Sequence, residues 1–349
     1  MANNSSSSSS SEAVECRVFD TDEYVTVAIV SSASAIVSAV CCIIVIGLIF
    51  MLKKHYFFIQ RLVLYLSLAA LVNSLSIVLR LYRIGYQEDS KALRVLCIAA
   101  AFIDQTSMWS LFMAFTAITF TLLMTVAFQK NTARLEGVYL ILILLLPLVF
   151  NWIPFIYETY GQSGAWCWIR NLNYDNNCTE HNFGTYLQYI LWYVPAYLLL
   201  GTLVLVYVVI IVCVLRQKYS WSMKYDTETN KLQEKLHEEV LPLLFYPIGL
   251  FLLNIFPLAN RIHDTLTADD PSYVLWMLHA IFSPLQGGYI ALVYVLDRRT
   301  LRRLTYSNFV AIFKRKDSVK EYPVVVGESD SVRVYVSEGS VKAPHYKAY

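Results

Sequence analysis

The sequence predicts an all-α membrane protein: a bundle of seven transmembrane helices followed by a short amphipathic eighth helix. Hydrophobic residues make up 57% of the 349 residues and charged residues only 15%, where an ordinary soluble domain has about 25% charged residues. The few charges are spread unevenly, because seven long stretches hold almost no Asp, Glu, Lys or Arg. A bilayer offers backbone amides no water to bind, so each stretch is predicted to be a helix.

Each of the seven stretches has at least the roughly 18 residues, most of them apolar, that cross the hydrocarbon of a bilayer as a helix. A buried soluble core could account for one or two of them, but not for seven in succession with charged connections. Together they predict a transmembrane domain over residues 25–296, preceded by a tail over residues 1–24. The stretches are Val25–Leu52, Leu62–Leu79, Val95–Phe128, Val138–Tyr157, Thr185–Leu215, Val240–Asn260 and Tyr273–Leu296.

Basic residues predict how the bundle is oriented in the plasma membrane. The connection between stretches five and six has five Lys and Arg residues within Arg216–Lys235, and the segment after the last stretch has seven within Arg298–Lys316. The connections on the other side, together with the N-terminal tail, hold seven in all. Cytoplasmic loops carry the excess of Lys and Arg, so we expect an extracellular N-terminus and a cytoplasmic C-terminus.

The N-terminal tail is rich in Ser and acidic, and it lacks the apolar core of a cleavable signal peptide. We expect it to be disordered. Asn3 and Asn4 each begin an N-x-S/T triplet, and Asn177 begins a third in the second outer loop. All three fall on the predicted outer side, where such triplets can be glycosylated.

The segment 297–316 places apolar side chains on one helical face and basic side chains on much of the rest. This pattern predicts a short amphipathic helix in the inner membrane surface, with a solvated basic linker as the alternative. Residues 317–349 are predicted to be a disordered cytoplasmic tail, whose phosphorylated serines would recruit arrestin-like proteins. The apolar set is Leu301, Leu304, Phe309, Ile312 and Phe313.

Four cysteines fall on the predicted outer side, where disulfides persist, and four cysteines allow three pairings. A bond between Cys97 and Cys167 would hold the second outer loop, which contains "GAWCWI", across the mouth of the bundle. Trp166 and Trp168 would then form a partial lid, although Trp also anchors proteins at the membrane interface. The remaining pair would be Cys16 with Cys178.

Asp104 is the only carboxylate deep within a stretch, roughly 10 Å below the outer mouth at about 1.5 Å per helical residue. Ionisable groups inside a membrane are costly and usually functional. We consider two interpretations: Asp104 is the counter-ion of a ligand, or it pairs internally with Arg80 or His279. Outer-half aromatic residues such as Trp276 would line a ligand pocket, or pack against other helices.

Three motifs resemble known receptor groups. "GAWCWI" resembles the second outer loop of the secretin-like and slime-mould cyclic AMP receptor-like groups. "LPLLFYPIGLF" followed by "FPLANRI" resembles the sixth helix of the cyclic AMP receptor-like group, including its Asn-Arg pair, here Asn260 and Arg261. "LQGGYIALVYVL" resembles the seventh helix of both groups. The chain has no Asp-Arg-Tyr after the third stretch and too short an outer tail for the hormone-binding domain of secretin-like receptors.

The resemblance implies a cell-surface receptor that binds an extracellular ligand and signals to a heterotrimeric G protein. If the ligand carries a phosphate, as the resemblance implies, Arg80, Arg170 and Arg261 would bind it. The outer segments hold about 13 acidic residues against 7 basic residues, so long-range attraction of an anion is not predicted. The identity of the ligand stays open.

Prolines predict where the bundle can bend, because proline removes a helical hydrogen bond. Pro247 and Pro257 lie in the sixth stretch, which we expect to continue into the cytoplasm because apolar residues recur there at helical spacing. An outward swing of its inner end would open a crevice for a G protein. The crevice would be lined by Arg134, Lys231, Lys235, Val240 and Leu243.

Other functions fit the sequence less well. A retinal protein needs a membrane lysine, and every lysine lies in a predicted connection or tail. A metallohydrolase needs clustered ligands, yet His279 is the only His within a stretch. A transporter or a membrane scaffold remains the alternative. We expect no catalytic residues, no metal, no cofactor and no nucleic-acid partner.

Overall fold

The computed structural model describes residues 21–80, 91–128, 130, 132–163, 166–170, 172–173, 179–180, 182–221, 241–266, 272–297, 319–326 and 330–337. Several predictions from the sequence lie outside these residues. They concern the tail before Thr21, the eighth helix, the glycosylation sites Asn3, Asn4 and Asn177, the cysteines Cys16 and Cys178, and the crevice residues Lys231, Lys235 and Val240.

Within the described residues, seven helices are long and apolar enough to cross a membrane, which confirms the predicted bundle. We number them spans 1 to 7 in chain order. Their bounds are Asp22–Met51, Phe58–Leu79, Lys91–Ala127, Ala133–Ile156, Phe183–Arg216, Phe245–Asp264 and Tyr273–Leu296. The helix of span 1 begins at Thr21, that of span 5 continues to Trp221, and that of span 6 to Leu266.

Spans 4, 5 and 7 change their helical winding close to a proline. Span 4 contains a π-helical turn at Ile141–Leu145 before Pro147, and span 5 contains one at Tyr189–Tyr193 before Pro195. Span 7 contains a 3-10 turn at Ser283–Leu285. Proline has no N–H, so it leaves the carbonyl four residues earlier without a helical donor. In span 5 that carbonyl belongs to Leu191, and it accepts a hydrogen bond of 3.1 Å from the Trp109 indole.

Short antiparallel strands occur in the loop between spans 4 and 5 and in the C-terminal tail. The loop between spans 4 and 5 contains β1 (Tyr160–Ser163) paired with β2 (Trp166–Ile169), and β3 (Leu172–Asn173) paired with β4 (Thr179–Glu180). The tail contains β5 (Val319–Val326) paired with β6 (Asp330–Ser337). The sequence-based expectation of a disordered tail over 317–349 therefore differs from the structure at these two strands. In β6 the β-branched residues Val332, Val334 and Val336 recur at the two-residue period of a strand.

The bundle has two ends, a disulfide end and an opposite end. The disulfide end holds the Cys97–Cys167 bond and the β1–β2 hairpin. The opposite end holds the connection between spans 1 and 2, with the 3-10 turn Lys54–Tyr56, and the end of span 7. Span 3 contributes an apolar row, including Phe112, Phe115 and Leu122, to one core that is shared by all seven spans.

Spans 1, 2 and 7 approach each other through small residues and shared hydroxyl groups. Ser74 Oγ donates to Ser38 Oγ at 3.0 Å, and the backbone N–H of Gly287 donates to the same Ser38 Oγ at 3.0 Å. A methyl group at Gly287 would overlap the side chains of Cys42 and Ser38, whereas Gly288 has only Leu285 near it, at 3.9 Å. Small residues at helix contacts allow such close packing in membranes.

Gly287→Ala is expected to lower the stability of the protein by about 1–3 kcal/mol, because the methyl group overfills a packed contact between spans 1 and 7. Gly288→Ala is the matched control and should leave stability unchanged or slightly raised, since alanine favours a helix. The measurement is thermal unfolding of the two detergent-solubilised variants. Equal midpoints for the two variants would contradict this packing.

Candidate functional site

The β1–β2 hairpin is fixed across the disulfide end by a covalent bond and by buried side chains. Cys97 and Cys167 form a disulfide, which confirms the pairing that we preferred from the sequence. Tyr160 of β1 donates from its phenol to the carbonyl of Asn151 at 2.8 Å, and burial raises the pKa of that phenol. Gln188 at the start of span 5 donates to the carbonyl of Ile169 at 2.7 Å. The hairpin is therefore attached to spans 3, 4 and 5.

A cavity of about 120 Å³ lies beneath the hairpin and between spans 1, 2, 3, 5, 6 and 7. Aromatic rings form much of its wall, and two arginines and one carboxylate are its charged groups among the described residues. The aromatic lining residues are Phe112, Trp166, Trp168, Trp192, Tyr193 and Tyr197. The charged and ionisable lining residues are Arg80, Asp104, Arg261 and His279. Four of the six ligand-binding residues predicted from the sequence therefore line one cavity.

Asp104 forms an ion pair with Arg80 inside this cavity. Arg80 Nη2 lies 2.5 Å from Asp104 Oδ2, and the other carboxylate oxygen accepts from Asn73 Nδ2 at 3.1 Å and from Ser76 Oγ at 3.2 Å. Among the two interpretations of Asp104, the structure shows the internal pair, with Arg80 rather than His279 as the partner. A carboxylate satisfied in this way tolerates its position inside the membrane.

The second cavity arginine is Arg261 of span 6, which is bordered by aromatic rings. Its guanidinium carbon lies 5.8 Å from the ring centre of Trp168 and 6.0 Å from that of Tyr193, distances at which a cation attracts a ring face. Its Nη1 also lies 3.5 Å from Asp264 Oδ2 one helical turn along. The adjacent Asn260, which is buried, donates to the same Asp264 oxygen at 3.3 Å.

Trp166 lies over the cavity as part of a stack of rings. Its ring is parallel to that of Trp276, with centres 5.4 Å apart and 13° between planes, and it lies 5.5 Å from the His279 ring. Trp276 does not line the cavity and instead supports Trp166 from behind. The tryptophans of "GAWCWI" thus act as a cover over the cavity, as the lid interpretation predicted.

Arg170 is placed differently from the sequence-based expectation. It follows β2 and does not line the cavity. Its Nη2 donates to the carbonyl of Glu158 at 2.6 Å, and its side chain lies against Gly161, where no Cβ blocks it. The carbonyl of Glu158, which precedes β1, therefore holds this guanidinium outside the cavity, and the role of Arg170 in ligand binding stays a prediction.

Sequence reasoning missed Gln105, which is only 2% exposed and lines the cavity next to Asp104. Its side-chain oxygen accepts the indole N–H of Trp168. It also missed Asn73 and Ser76, which surround Asp104. The signal was available, since Asn73 and Ser76 are polar residues one helical turn apart in a mostly apolar span.

The opposite end holds the described part of the predicted crevice. Arg134 is exposed at the start of span 4, and Leu243 is buried in the 3-10 turn that precedes span 6. Close to Arg134, Arg61 of span 2 donates from two nitrogens to Glu136 at 2.6 Å each. The Tyr65 hydroxyl donates to the same carboxylate at 2.8 Å. This cluster joins spans 2 and 4 at the opposite end.

Comparisons with known proteins agree with this geometry. A family model described as "Slime mold cyclic AMP receptor" matches residues 17–322. Among solved structures, squid rhodopsin is similar, with a TM-score of 0.59 and 14% sequence identity over 84% of this chain and 88% of the rhodopsin chain. At that identity the likeness shows the fold alone. A search of curated proteins finds no match.

Removal of either cysteine should destabilise the receptor to the same extent, because both changes break the same disulfide bond. Cys97→Ser and Cys167→Ser are each expected to reduce surface display similarly, through the loss of about 2–4 kcal/mol from a closed loop, and the double variant should add little. Flow cytometry of an epitope-tagged receptor measures this. Clearly additive losses would contradict a single shared bond.

Asp104 and Arg80 should be coupled in stability. Asp104→Leu leaves a buried guanidinium without its counter-ion and is expected to cost about 3–5 kcal/mol. Arg80→Met should also destabilise, while the double variant should recover much of the loss. Heat inactivation of the solubilised receptor, followed by size-exclusion chromatography, gives the four stabilities. Losses that add in the double variant would show that the pair does not matter.

Proposed function

The chain belongs to the slime mold cyclic AMP receptor family, and from this premise we propose that its cavity binds an extracellular anion with an aromatic ring, cyclic AMP being the first candidate. The protein is a multi-pass cell-surface receptor with the fold of G-protein-coupled receptors. The observation that carries the proposal is the combination of two arginines and six aromatic rings around one cavity.

The charge of the cavity favours a ligand with one negative charge. Arg80 and Asp104 neutralise each other at 2.5 Å. The guanidinium of Arg261 reaches Asp264 only at 3.5 Å, and Asp264 does not line the cavity. The lining residues therefore include two arginines and one carboxylate, and the carboxylate that pairs with Arg261 lies outside the lining. Arginine binds phosphate oxygens with two parallel N–H groups, and cyclic AMP carries a single phosphate charge.

The aromatic wall of the cavity supports the same ligand class. Trp166, Trp168 and Tyr193 offer ring faces or edges close to Arg261. A purine ring can stack on such faces, a contact worth about 1–3 kcal/mol in proteins that bind single-stranded bases. A ligand that joins a phosphate to a purine would use both features of the cavity together.

The size of the cavity implies that binding is accompanied by movement. Ligand pockets usually have volumes of about 300–1,000 Å³, and this cavity has about 120 Å³. Trp166 is the residue best placed to move, because it comes from the hairpin rather than from a span and contacts Trp276 and His279 through its ring. Displacement of Trp166 would widen the cavity at the disulfide end.

Span 6 would carry the signal from the cavity to the opposite end. Asn254, Pro257, Leu258 and Arg261 all line the cavity, and Pro257 lies inside the helix, where it weakens one turn. At the other end of the same helix, Tyr289 of span 7 donates to the carbonyl of Phe245 at 2.8 Å. A ligand that contacts Arg261 and favours an outward position of Phe245 would break this contact and shift the two-state equilibrium.

The G protein would bind where the inner end of span 6 moves. We assign the contact to Arg134 and Leu243 together with Lys231, Lys235 and Val240, the latter three outside the described residues. This assignment requires the disulfide end to face the extracellular space, as the basic residues of the connections favour. Arrestin-like proteins at the phosphorylated tail and glycosylation of Asn3, Asn4 and Asn177 stay predictions of the same orientation.

The proposal is tested by G-protein dissociation in cells that express the chain and receive extracellular cyclic AMP. The wild type should respond, and Arg261→Met should raise the half-effective concentration by about tenfold or more, because a hydrogen bond to a charged group contributes about 1.5–3 kcal/mol. Arg94→Met is the matched control, since Arg94 is exposed and does not line the cavity.

Three outcomes would count against the proposal. A wild type that ignores cyclic AMP removes the first candidate ligand. Equal shifts for Arg261→Met and Arg94→Met remove the cavity as the site. Uptake of labelled cyclic AMP without any G-protein response would favour a transporter instead.

A further inference from the structure

Buried nitrogen atoms in the cavity retain hydrogen-bonding capacity that the described part of the protein does not use. The Nε2 of Gln105 and the Nε1 of Trp166 are both buried, and neither has a hydrogen-bond partner among the described residues. Both side chains line the cavity. Arg80 Nε is a third such atom. All three atoms are hydrogen-bond donors. A ligand that pairs with them must therefore supply acceptor atoms.

The orientation of the Gln105 amide follows from its neighbour Trp168. The indole N–H of Trp168 can only donate, and it points at the side-chain end of Gln105. The atom that meets it must therefore be the amide oxygen, which leaves the NH₂ group directed elsewhere. The two ends of the amide look alike in shape, but here the chemistry of the indole distinguishes them.

Trp168 is itself held in place. It lies in β2 next to Cys167, which is bonded to Cys97, and its backbone pairs with Gly161. Its ring meets the ring of Tyr193 edge to face, with centres 5.7 Å apart. The fixed Trp168 indole therefore fixes the orientation of the Gln105 amide, and the amide NH₂ group of Gln105 is directed at the cavity.

A buried donor without a partner is costly and rare in folded proteins. Gln105 retains such a donor, although a leucine or methionine of similar size would avoid the cost. The arrangement makes sense if the partner arrives with the ligand.

We propose that Gln105 contacts the ligand and determines its specificity by donating a hydrogen bond to an acceptor atom of the ligand, with Trp168 as the positioning residue. The inference rests on the proposed function of the same cavity and adds the rule by which the cavity selects. A ligand with an oxygen or unprotonated nitrogen at this position is accepted. A ligand that presents only an N–H there meets a second donor and is rejected.

The test uses the full-length receptor in membranes and labelled cyclic AMP as the probe. Gln105→Met keeps the length of the side chain and removes the donor, so affinity should fall about tenfold or more. Gln105→Glu keeps the shape and replaces the donor by an anionic acceptor, so its loss should exceed that of Gln105→Met. A role in packing alone would predict the reverse order.

Trp168→Phe tests the positioning role. It keeps an aromatic ring and removes the N–H, so the amide of Gln105 can rotate and affinity should fall less than in Gln105→Met. The double variant Gln105→Met/Trp168→Phe should bind as Gln105→Met does, because Trp168 acts through Gln105. Gln60→Met is the matched control, a glutamine near the opposite end of span 2 that does not line the cavity. Losses that add in the double variant, or Gln105→Met with wild-type affinity, would overturn the inference.

A measurement without ligand separates this inference from the proposed function. In nitrogen-15 spectra of the receptor, the Trp168 indole signal is assigned from its absence in Trp168→Phe. It should move and exchange faster with water in Gln105→Met, but not in Gln60→Met. If cyclic AMP fails to bind the wild type, the proposed ligand fails, and a changed indole signal still supports the oriented donor. An indole signal unaffected by Gln105→Met overturns the orientation, whatever the ligand is.

Discussion

The structure depends on one constraint: a polar group inside a bilayer must find its partner in the protein or in what the protein binds. Span 1, span 2 and span 7 meet where Ser38, Ser74 and the Gly287 backbone share hydrogen bonds. Asp104 is tolerated in span 3 because Arg80, Asn73 and Ser76 satisfy it. Many other apolar side chains face outwards, as on span 5, where most of the membrane-crossing segment is unburied. The interior of the bundle is therefore where chemistry is concentrated.

The same constraint explains why irregular backbone lies next to the cavity. The π turn before Pro195 leaves a carbonyl without a helical partner, and Trp109 supplies the missing donor at 3.1 Å. Trp192 from that turn and Pro284 from the 3-10 turn of span 7 both line the cavity. Irregular backbone in a membrane helix is tolerated where it faces protein or a cavity, and in spans 5 and 7 the irregular turns lie at the candidate site.

The features that can be predicted from the sequence are those set by the surrounding lipid and water. Because charge is excluded from lipid, the seven spans can be recognised in the sequence, and the predicted outer position of Cys97 and Cys167 favours their bond. What the sequence does not contain is the direction of individual side chains. The sequence alone does not distinguish Arg170 from Arg261. In the structure, a loop carbonyl holds Arg170 outside the cavity, whereas aromatic rings of the hairpin and of span 5 border Arg261 within it. Gln105 becomes notable only when Trp168 is seen to orient it.

The central claim is that the cavity at the disulfide end is where this receptor meets its ligand. Ala196 and Leu198 test it, because they are two residues apart in span 5, and Ala196 lines the cavity while Leu198 faces outwards with 68% exposure. Each is replaced by cysteine and exposed to a membrane-impermeant thiol reagent with and without cyclic AMP. The account predicts that the reagent labels Ala196→Cys, that cyclic AMP slows this labelling, and that Leu198→Cys in lipid does not react. Labelling of Ala196→Cys that cyclic AMP leaves unchanged would contradict it.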